Sequence, residues 1–135
     1  MFTHETQIRI RYAETDQMGY VYYGNYASFY EVARTEMLRS TGISYKQLEE
    51  MGVMMPVTDL TCKYHHAARY DDLITIKTYV REKPMVRIRF EYEIFNEEGL
   101  LLNTGSTQLV FVDMEKKRPC RAPQLFQDKM LPFFP

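Results

Sequence analysis

Residues 24–42 read GNYASFYEVARTEMLRSTG, and this stretch decides the fold. Its apolar residues recur every three or four positions, which is the period of an α-helix with one buried face. The apolar stripe consists of Tyr26, Phe29, Tyr30, Ala33 and Met37. Gly42 follows at the position where a helix C-terminus favours a left-handed residue. The pattern predicts one long amphipathic helix from about Gly24 to Thr41.

The segments on both sides of this helix have strand patterns. Strict alternation of apolar and polar residues predicts a strand over Gln7–Tyr12. A capping box, Ser44 with Gln47, predicts a short helix that ends near Met51. Four further strands are predicted within residues 60–65, 74–80, 86–94 and 100–112. We expect these four to form a meander. The last strand is apolar on both faces, so we expect it to be central or partly covered on its second side.

This order of elements, β-α-α-β-β-β-β, predicts an α+β protein. A five-stranded antiparallel sheet that wraps around the long helix would give both elements one core. Such a sheet leaves an edge and part of a face exposed, and pairing with a second copy would cover them. We therefore expect one domain over residues 1–135 that assembles as a homo-oligomer.

Charge and cysteine content restrict the class of protein. The 17 Lys and Arg residues nearly balance the 18 Asp and Glu residues, without the basic excess of nucleic-acid or anionic-membrane binders. Two cysteines are too few for a disulfide framework, which favours a reducing compartment. No apolar run resembles a signal peptide or approaches the ~20 residues of a membrane span. We expect a cytoplasmic protein with no nucleic-acid partner and no membrane insertion.

The sequence lacks the common catalytic signatures. It contains no G-x-S-x-G nucleophile elbow, no G-x-G-x-x-G loop and no Walker A loop. Cys62, His65 and His66 resemble a metal or thiol site at first sight. On a strand, however, His65 points away from the other two, and no second ligand pair exists. A structural or surface role is therefore favoured for these three residues.

Residues 16–26, DQMGYVYYGNY, place one carboxylate on a glycine-bent loop immediately before the long helix. The N–H groups at a helix N-terminus are unpaired and carry partial positive charge, so they can stabilise an oxyanion on a substrate carbonyl. A carboxylate beside them could attack an acyl carbon or deprotonate a water molecule. Asp16 could equally be a loop or cap residue, and spacing leaves both interpretations open.

Residues 11–26, RYAETDQMGYVYYGNY, with FYEVARTE at 29–36, closely resemble the hotdog-fold acyl-CoA thioesterases of the 4-hydroxybenzoyl-CoA thioesterase type. The bacterial short-chain acyl-CoA thioesterases associated with the Tol-Pal gene cluster share this pattern. Its ordered positions are met by Asp16, Gly19, Val21, Tyr22, Asn25, Tyr26, Glu31, Ala33 and Arg34. The resemblance implies a hotdog fold, and no metal or organic cofactor is implied. We expect the homo-oligomer to be a homodimer or a homotetramer.

The resemblance also implies a role for each matched position. The family's essential carboxylate corresponds to Asp16, and the backbone amide that polarises the thioester carbonyl corresponds to Tyr23. Many relatives have a histidine at the Tyr23 position, so this chain lacks that imidazole but keeps the backbone amide. The expected substrate-binding residues are Met18, Gly19, Tyr22, Asn25, Tyr26, Phe29 and Arg69.

Several of these residues have an alternative structural interpretation. Tyr26 and Phe29 lie on the apolar stripe of the helix, where a core role is at least as good an explanation. A structural ion pair or hydrogen bonds are favoured over catalysis for Glu31 and Arg34. Arg69 and the basic run at residues 115–121 could meet the phosphates of CoA, although a solvated position explains the basic run better.

The combined prediction is an enzyme that hydrolyses a small-molecule acyl-CoA to free acid and CoA, with Asp16 as nucleophile or general base. One alternative is an aromatic-CoA or acyl carrier protein thioesterase that uses the same site. Another is a non-catalytic acyl-CoA-binding module. A dehydratase is less favoured, because those relatives pair their acid with a histidine in the motif region, and His4, His65 and His66 all lie outside it.

Overall fold

A computed structural model describes all residues from 1 to 135. The long helix α1 spans Tyr26–Arg39, and two shorter helices, α2 and α3, span Tyr45–Glu50 and Gln124–Met130. The strands are β1 Phe2–Arg9, β2 Val53–Met54, β3 Val57–Tyr64, β4 Leu73–Val80, β5 Arg87–Phe95, β6 Leu101–Val110, β7 Val112–Asp113 and β8 Arg118–Pro119. The five long strands form one antiparallel sheet in the order β1-β4-β5-β6-β3, and β2, β7 and β8 form a small second sheet.

Helix α1 packs its predicted apolar stripe into a core shared with the main sheet. All five stripe residues are at most 3% exposed. Opposite them, the predicted inward positions of β4 and β5 are buried as well, including Ile76 and Phe90. The rings of Tyr30 and Tyr92 stack with their centroids 4.2 Å apart. Burying an aromatic or branched aliphatic side chain of this size contributes about 1.5–3 kcal/mol, so this stripe stabilises the helix against the sheet. The predicted architecture is confirmed.

Local turn chemistry ends α1 and begins α2 as predicted. Gly42 has a φ of +89°, a left-handed conformation that favours glycine. The Ser44 hydroxyl accepts a hydrogen bond from the Gln47 N–H at 3.2 Å, and the Gln47 side-chain oxygen accepts from the Ser44 N–H at 2.9 Å. This reciprocal capping box satisfies two N–H groups that the short helix would otherwise leave unpaired.

The predicted four-strand meander is wrong. Only β4, β5 and β6 follow one another as neighbours, whereas β3 pairs with β6 at the far edge of the sheet. Residues 65–72 therefore connect β3, at one edge of the sheet, to β4, which lies next to the opposite edge strand, β1. Alternation indicates that a segment is a strand, but it does not identify the neighbouring strand. The last long strand, predicted to be central or partly covered on its second side, is an interior strand, because β6 lies between β5 and the edge strand β3.

The first strand begins earlier than predicted. It runs from Phe2, opposite Val80, to Arg9, opposite Leu73, and ends before Tyr12. The side chains that face outward from β1 are all polar, and two that face inward, His4 and Thr6, are polar as well. The alternation of apolar and polar residues is therefore visible only near the end of the strand.

The small second sheet and α3 were not predicted. Phe126 of α3 is buried edge-on against the ring of Phe111, with centroids 5.1 Å apart.

None of the helices combines the length and the apolar character required to cross a bilayer.

Candidate active site

The loop that carries Asp16 is closed by its own backbone hydrogen bonds. The Asp16 N–H donates to the Tyr20 carbonyl at 2.8 Å, and the Gly19 N–H donates to the Asp16 carbonyl at 3.0 Å. Gly19 has a φ of +80°, so a side chain at this turn would introduce strain. The Asp16 carboxylate accepts the Met18 N–H at 2.9 Å. These bonds fix a half-buried carboxylate just ahead of α1.

A short 3₁₀ turn, Tyr23–Asn25, leads from this loop into α1. The Glu14 carbonyl holds the turn in place, because it accepts the Tyr22 N–H at 2.9 Å and the Asn25 side-chain amide at 2.8 Å. The N–H groups of Tyr23 and Gly24 donate to no backbone acceptor of the chain. They are the kind of free donor that a helix N-terminus presents, and the helix dipole gives them partial positive charge.

The opposite wall is formed by the last residue of β3 and the residues that follow it, 64–69, which are called the 64–69 segment below. Its N–H groups at positions 65 and 66 both donate to the Leu102 carbonyl of β6, at 2.9 and 3.1 Å. Its Ala68 carbonyl accepts the Val21 N–H at 2.8 Å. The segment is therefore attached to the sheet at one end and to the Asp16 loop at the other.

A pocket of about 280 Å³ lies between the Asp16 loop and the 64–69 segment. It is lined by Asp16, Met18, Tyr20, Val21, Tyr23, Tyr26, Tyr64, His65, His66 and Ala67. A mostly aromatic and apolar wall with a few polar groups is typical of a small-molecule site. A larger cavity of about 710 Å³ lies beside β5, where Lys83, Arg87 and Arg89 line it. It contains no residue of the motif, so we assign the chemistry to the smaller pocket.

Two tyrosines connect the pocket walls. The Tyr64 hydroxyl donates to the Tyr23 carbonyl at 3.2 Å, and the Tyr64 ring meets the Tyr26 ring edge-on with centroids 5.3 Å apart. The neighbouring Cys62 thiol and partial burial raise the pKa of Tyr64 to about 12. Burial raises the pKa of Tyr26. Both phenols therefore keep their protons at neutral pH, and the Tyr64 hydroxyl acts as a hydrogen-bond donor.

The structure gathers four of the nine predicted site residues at the pocket wall: Asp16, Met18, Tyr23 and Tyr26. Three others support the site from outside it. Gly19 forms the turn behind Asp16, Asn25 bonds to the Glu14 carbonyl, and Phe29 is 2% exposed within the core.

Tyr22 and Arg69 also lie outside the pocket lining. The ring of Tyr22 packs on that of Tyr23 at a centroid distance of 4.6 Å. The Arg69 guanidinium lies 4.7 Å from the centroid of the Tyr20 ring, a cation–π contact that links the 64–69 segment to the Asp16 loop. Arg69 remains exposed to solvent while it makes this contact.

Of the structural ion pair or hydrogen bonds predicted for Glu31 and Arg34, the ion pair between the two residues does not form. Glu31 is exposed, whereas Arg34 is only 8% exposed and lies beside the phenols of Tyr45 and Tyr92. Burial raises the pKa of Tyr45 to about 12, against the opposing effect of the neighbouring guanidinium. Arg34 is thus a structural residue of the buried helix face.

Sequence reasoning missed the contribution of the 64–69 segment. Spacing along the chain places His65 and His66 far from the motif, yet both line the same pocket as Asp16. No local sequence pattern signals this position, because it depends on the path of the chain between β3 and β4.

Cys62, which was considered together with the two histidines, has a different environment. Its sulfur accepts the Asn103 side-chain N–H at 3.3 Å and the Tyr30 hydroxyl at 3.4 Å.

The family follows from comparison with known proteins. Residues 18–103 match the model of the thioesterase superfamily. The chain belongs to this family. The prediction of a hotdog-fold thioesterase, an enzyme that hydrolyses thioesters, is thereby confirmed.

Individual members of the thioesterase superfamily resemble the chain over most of its length. It is 32% identical to the putative acyl-CoA thioesterase YneP of Bacillus subtilis over 128 residues, which cover 95% of this chain and 93% of that protein. It is 37% identical to the acyl-CoA thioester hydrolase YbgC of Escherichia coli over 117 residues, 87% of each chain. The solved structure of a DHNA-CoA thioesterase from Staphylococcus aureus superposes with a TM-score of 0.90 at 40% identity, covering 98% of this chain and 89% of that one.

Proposed function

We propose that the protein hydrolyses a small-molecule acyl-CoA to free acid and CoA, with Asp16 as nucleophile or general base. One observation carries this proposal: the Asp16 carboxylate and Tyr23, whose N–H is free, line one pocket. The relatives named acyl-CoA thioesterases support the choice of substrate. We assign the whole activity to a single hotdog domain over residues 1–135.

In the proposed first step, the thioester oxygen accepts the Tyr23 N–H at the positive end of α1. Negative charge that develops on this oxygen is stabilised by the free amide and by the helix dipole. The Tyr64 hydroxyl, bonded to the Tyr23 carbonyl, holds this turn in position. Because the donor is a backbone group, the step does not depend on the side chain at position 23.

Asp16 then completes the reaction by one of two routes. As a nucleophile, its carboxylate oxygen bonds to the acyl carbon, the C–S bond breaks, and water opens the resulting mixed anhydride. As a general base, it takes a proton from the water that attacks the acyl carbon directly. A thiol has a pKa of about 8.5, so the thiolate leaves without a strong general acid.

A panel of thioesters tests the proposed function. We expect the purified protein to release free thiol from at least one small acyl-CoA, measured with a thiol-reactive chromophore. The panel contains aliphatic acyl-CoAs of increasing length, benzoyl-CoA and an acyl carrier protein thioester. Saturable binding of acyl-CoA without thiol release from any member would contradict the proposal and favour a non-catalytic binding module.

A second candidate is an aromatic acyl-CoA substrate at the same site. Four tyrosine rings line the pocket, at positions 20, 23, 26 and 64, and aromatic rings pack favourably against one another. The 40% identical structural neighbour is named for DHNA-CoA. A kcat/KM for benzoyl-CoA well above that for aliphatic chains of similar size would support this candidate.

We also propose that the protein is a homo-oligomer, a homodimer or a homotetramer, that pairs through β3. This eight-residue strand pairs only with β6, and its outer edge is open. Val57, Leu60 and Tyr64 on it are 44–50% exposed. A long exposed edge strand with apolar side chains is a template for another strand, and a second copy is a self-complementary partner.

A charge on the β3 edge tests this assembly. Leu60→Lys would place like charges close together across a two-fold strand pair, so we expect a shift from oligomer to single chains. Leu100→Lys is the matched control, because Leu100 is 43% exposed, against 44% for Leu60, but lies at the hairpin between β5 and β6. Light scattering coupled to size-exclusion chromatography measures both. An unmodified chain that elutes as a single copy would contradict the proposal.

We propose a cytoplasmic location. Both cysteines, Cys62 and Cys120, are unpaired. Free thiols are the usual state of cysteine in a reducing compartment.

A further inference from the structure

We propose that His66 is the base that activates the hydrolytic water in the second half of the reaction. This inference rests on the proposed function, and specifically on its nucleophilic route. In that route Asp16 is bound in the mixed anhydride once the thiolate has left. Its carboxylate can no longer accept a proton, so the water that opens the anhydride requires a different base.

The pocket contains few groups that can act as this base. Among its lining side chains, only the Asp16 carboxylate and the imidazoles of His65 and His66 belong to residue types that act as general bases at neutral pH. The remaining ionisable groups are tyrosine phenols, which ordinarily lose their proton only near pH 10. With Asp16 engaged in the anhydride, the choice is between the two histidines.

The two histidines differ in the hydrogen bonds that their rings make. The His65 ring nitrogen Nε2 lies 2.9 Å from the Thr104 hydroxyl of β6, so this ring is engaged on the sheet. The His66 ring has no hydrogen-bond partner within the chain, and its side chain is exposed. Its backbone is nevertheless anchored, because its N–H donates to the Leu102 carbonyl at 3.1 Å. An anchored backbone with a free ring suits a group that must exchange protons.

The 64–69 segment holds His66 beside the Asp16 loop. Two residues beyond His66, the Ala68 carbonyl accepts the Val21 N–H at 2.8 Å, and Arg69 packs on the Tyr20 ring. The position of His66 relative to the Asp16 loop is therefore fixed by its own bond to β6 and by the contacts of Ala68 and Arg69 with the loop.

The proposed step balances in bonds and protons. The oxygen of water bonds to the acyl carbon while the His66 imidazole takes one proton of that water. The bond between the acyl carbon and the Asp16 carboxylate oxygen breaks, which releases the free acid and restores the carboxylate. The imidazolium then gives its proton to the CoA thiolate or to solvent, and the enzyme is ready for another turnover.

Rapid-mixing kinetics of His66→Asn and His66→Gln test the proposal, with the acyl-CoA that the unmodified enzyme turns over best. We expect a burst of about one thiol per site, because the first step is intact, followed by steady-state turnover reduced about tenfold or more. His4→Asn is the matched control, since it makes the same change on β1 away from the pocket, and we expect its kcat to stay within about twofold of the unmodified enzyme. Because the His66 side chain is exposed, Tm is expected to change by no more than about 3 °C.

The outcomes separate this inference from the proposed function. If Asp16→Asn retains turnover, the proposed function fails. If Asp16→Asn is inactive and both His66 variants keep the unmodified kcat, the role of His66 is overturned while the proposed function stands. A His66 variant that loses thiol release and acid release equally, without a burst, also overturns the role. If His65→Asn shows the burst of thiol and the His66 variants do not, the role of His66 is overturned and the base is His65.

Discussion

Asp16→Asn is expected to lower kcat by about 100-fold or more without a measurable loss of stability. Proton transfer or nucleophilic attack by a positioned carboxylate accounts for rate factors of about 10² to 10⁴, and a neutral amide performs neither. The asparagine side-chain oxygen can still accept the Met18 N–H, as Asp16 does at 2.9 Å. The loop should therefore keep its conformation, so that the variant loses catalytic rate and not stability.

Steady-state thiol release and a thermal unfolding curve measure the two effects. Asp113→Asn is the matched control. The Asp113 carboxylate closes a similar turn by accepting the N–H groups of Glu115 and Lys116 at 3.0 and 2.9 Å, but it lies in the small second sheet. We expect this control to keep kcat within about twofold of the unmodified enzyme. An Asp16→Asn protein with more than about a tenth of the unmodified kcat would refute the assignment of the essential carboxylate.

Gly105→Ala is expected to destabilise the fold by about 3 kcal/mol, at the upper end of overpacking effects. Gly105 lies on β6 beneath the Tyr30 hydroxyl of α1. An added Cβ would lie 2.5 Å from the Thr61 carbonyl oxygen of β3 and closer still to the Tyr30 hydroxyl. Neither neighbour can move freely, since one is strand backbone and the other bonds to the buried Asn103 side chain. The helix or the strand must shift.

Urea denaturation of Gly105→Ala, Tyr30→Phe and the double variant measures this effect. Removing the Tyr30 hydroxyl should relieve part of the clash, so we expect a coupling free energy of about 1 kcal/mol between the two changes. Gly52→Ala serves as a contrast: its Cβ would meet no atom within 4 Å, and only its positive φ of +82° opposes the change. We expect the contrast variant to lose about 1–2 kcal/mol from this backbone strain. A Gly105→Ala protein that loses less than 1 kcal/mol would show that α1 is not packed tightly on β6.

Much of the fold was predictable because it depends on local periodicity. The stripe that includes Tyr30 and the alternation that includes Phe90 identify buried faces whatever the neighbouring element is. Ser44 and Gln47 define the start of α2 through contacts three residues apart. The first strand was misplaced because its early residues are mostly polar, so the alternation that signals a half-buried strand is missing there.

The sequence by itself determined which segment carries the proposed carboxylate, residues 16–26. The turn at Gly19 and the start of α1 at Tyr26 lie within this short segment, and Asp16 and Tyr23, whose N–H is free, line the same pocket. Only the tertiary structure decided the other half. Tyr64 meets Tyr23 across 41 positions of sequence, and His66 reaches the pocket because β3 pairs with β6 and the chain returns past the Asp16 loop. A period of two indicates which face of a strand is buried, whereas the choice of neighbouring strand depends on how the whole sheet covers its helix.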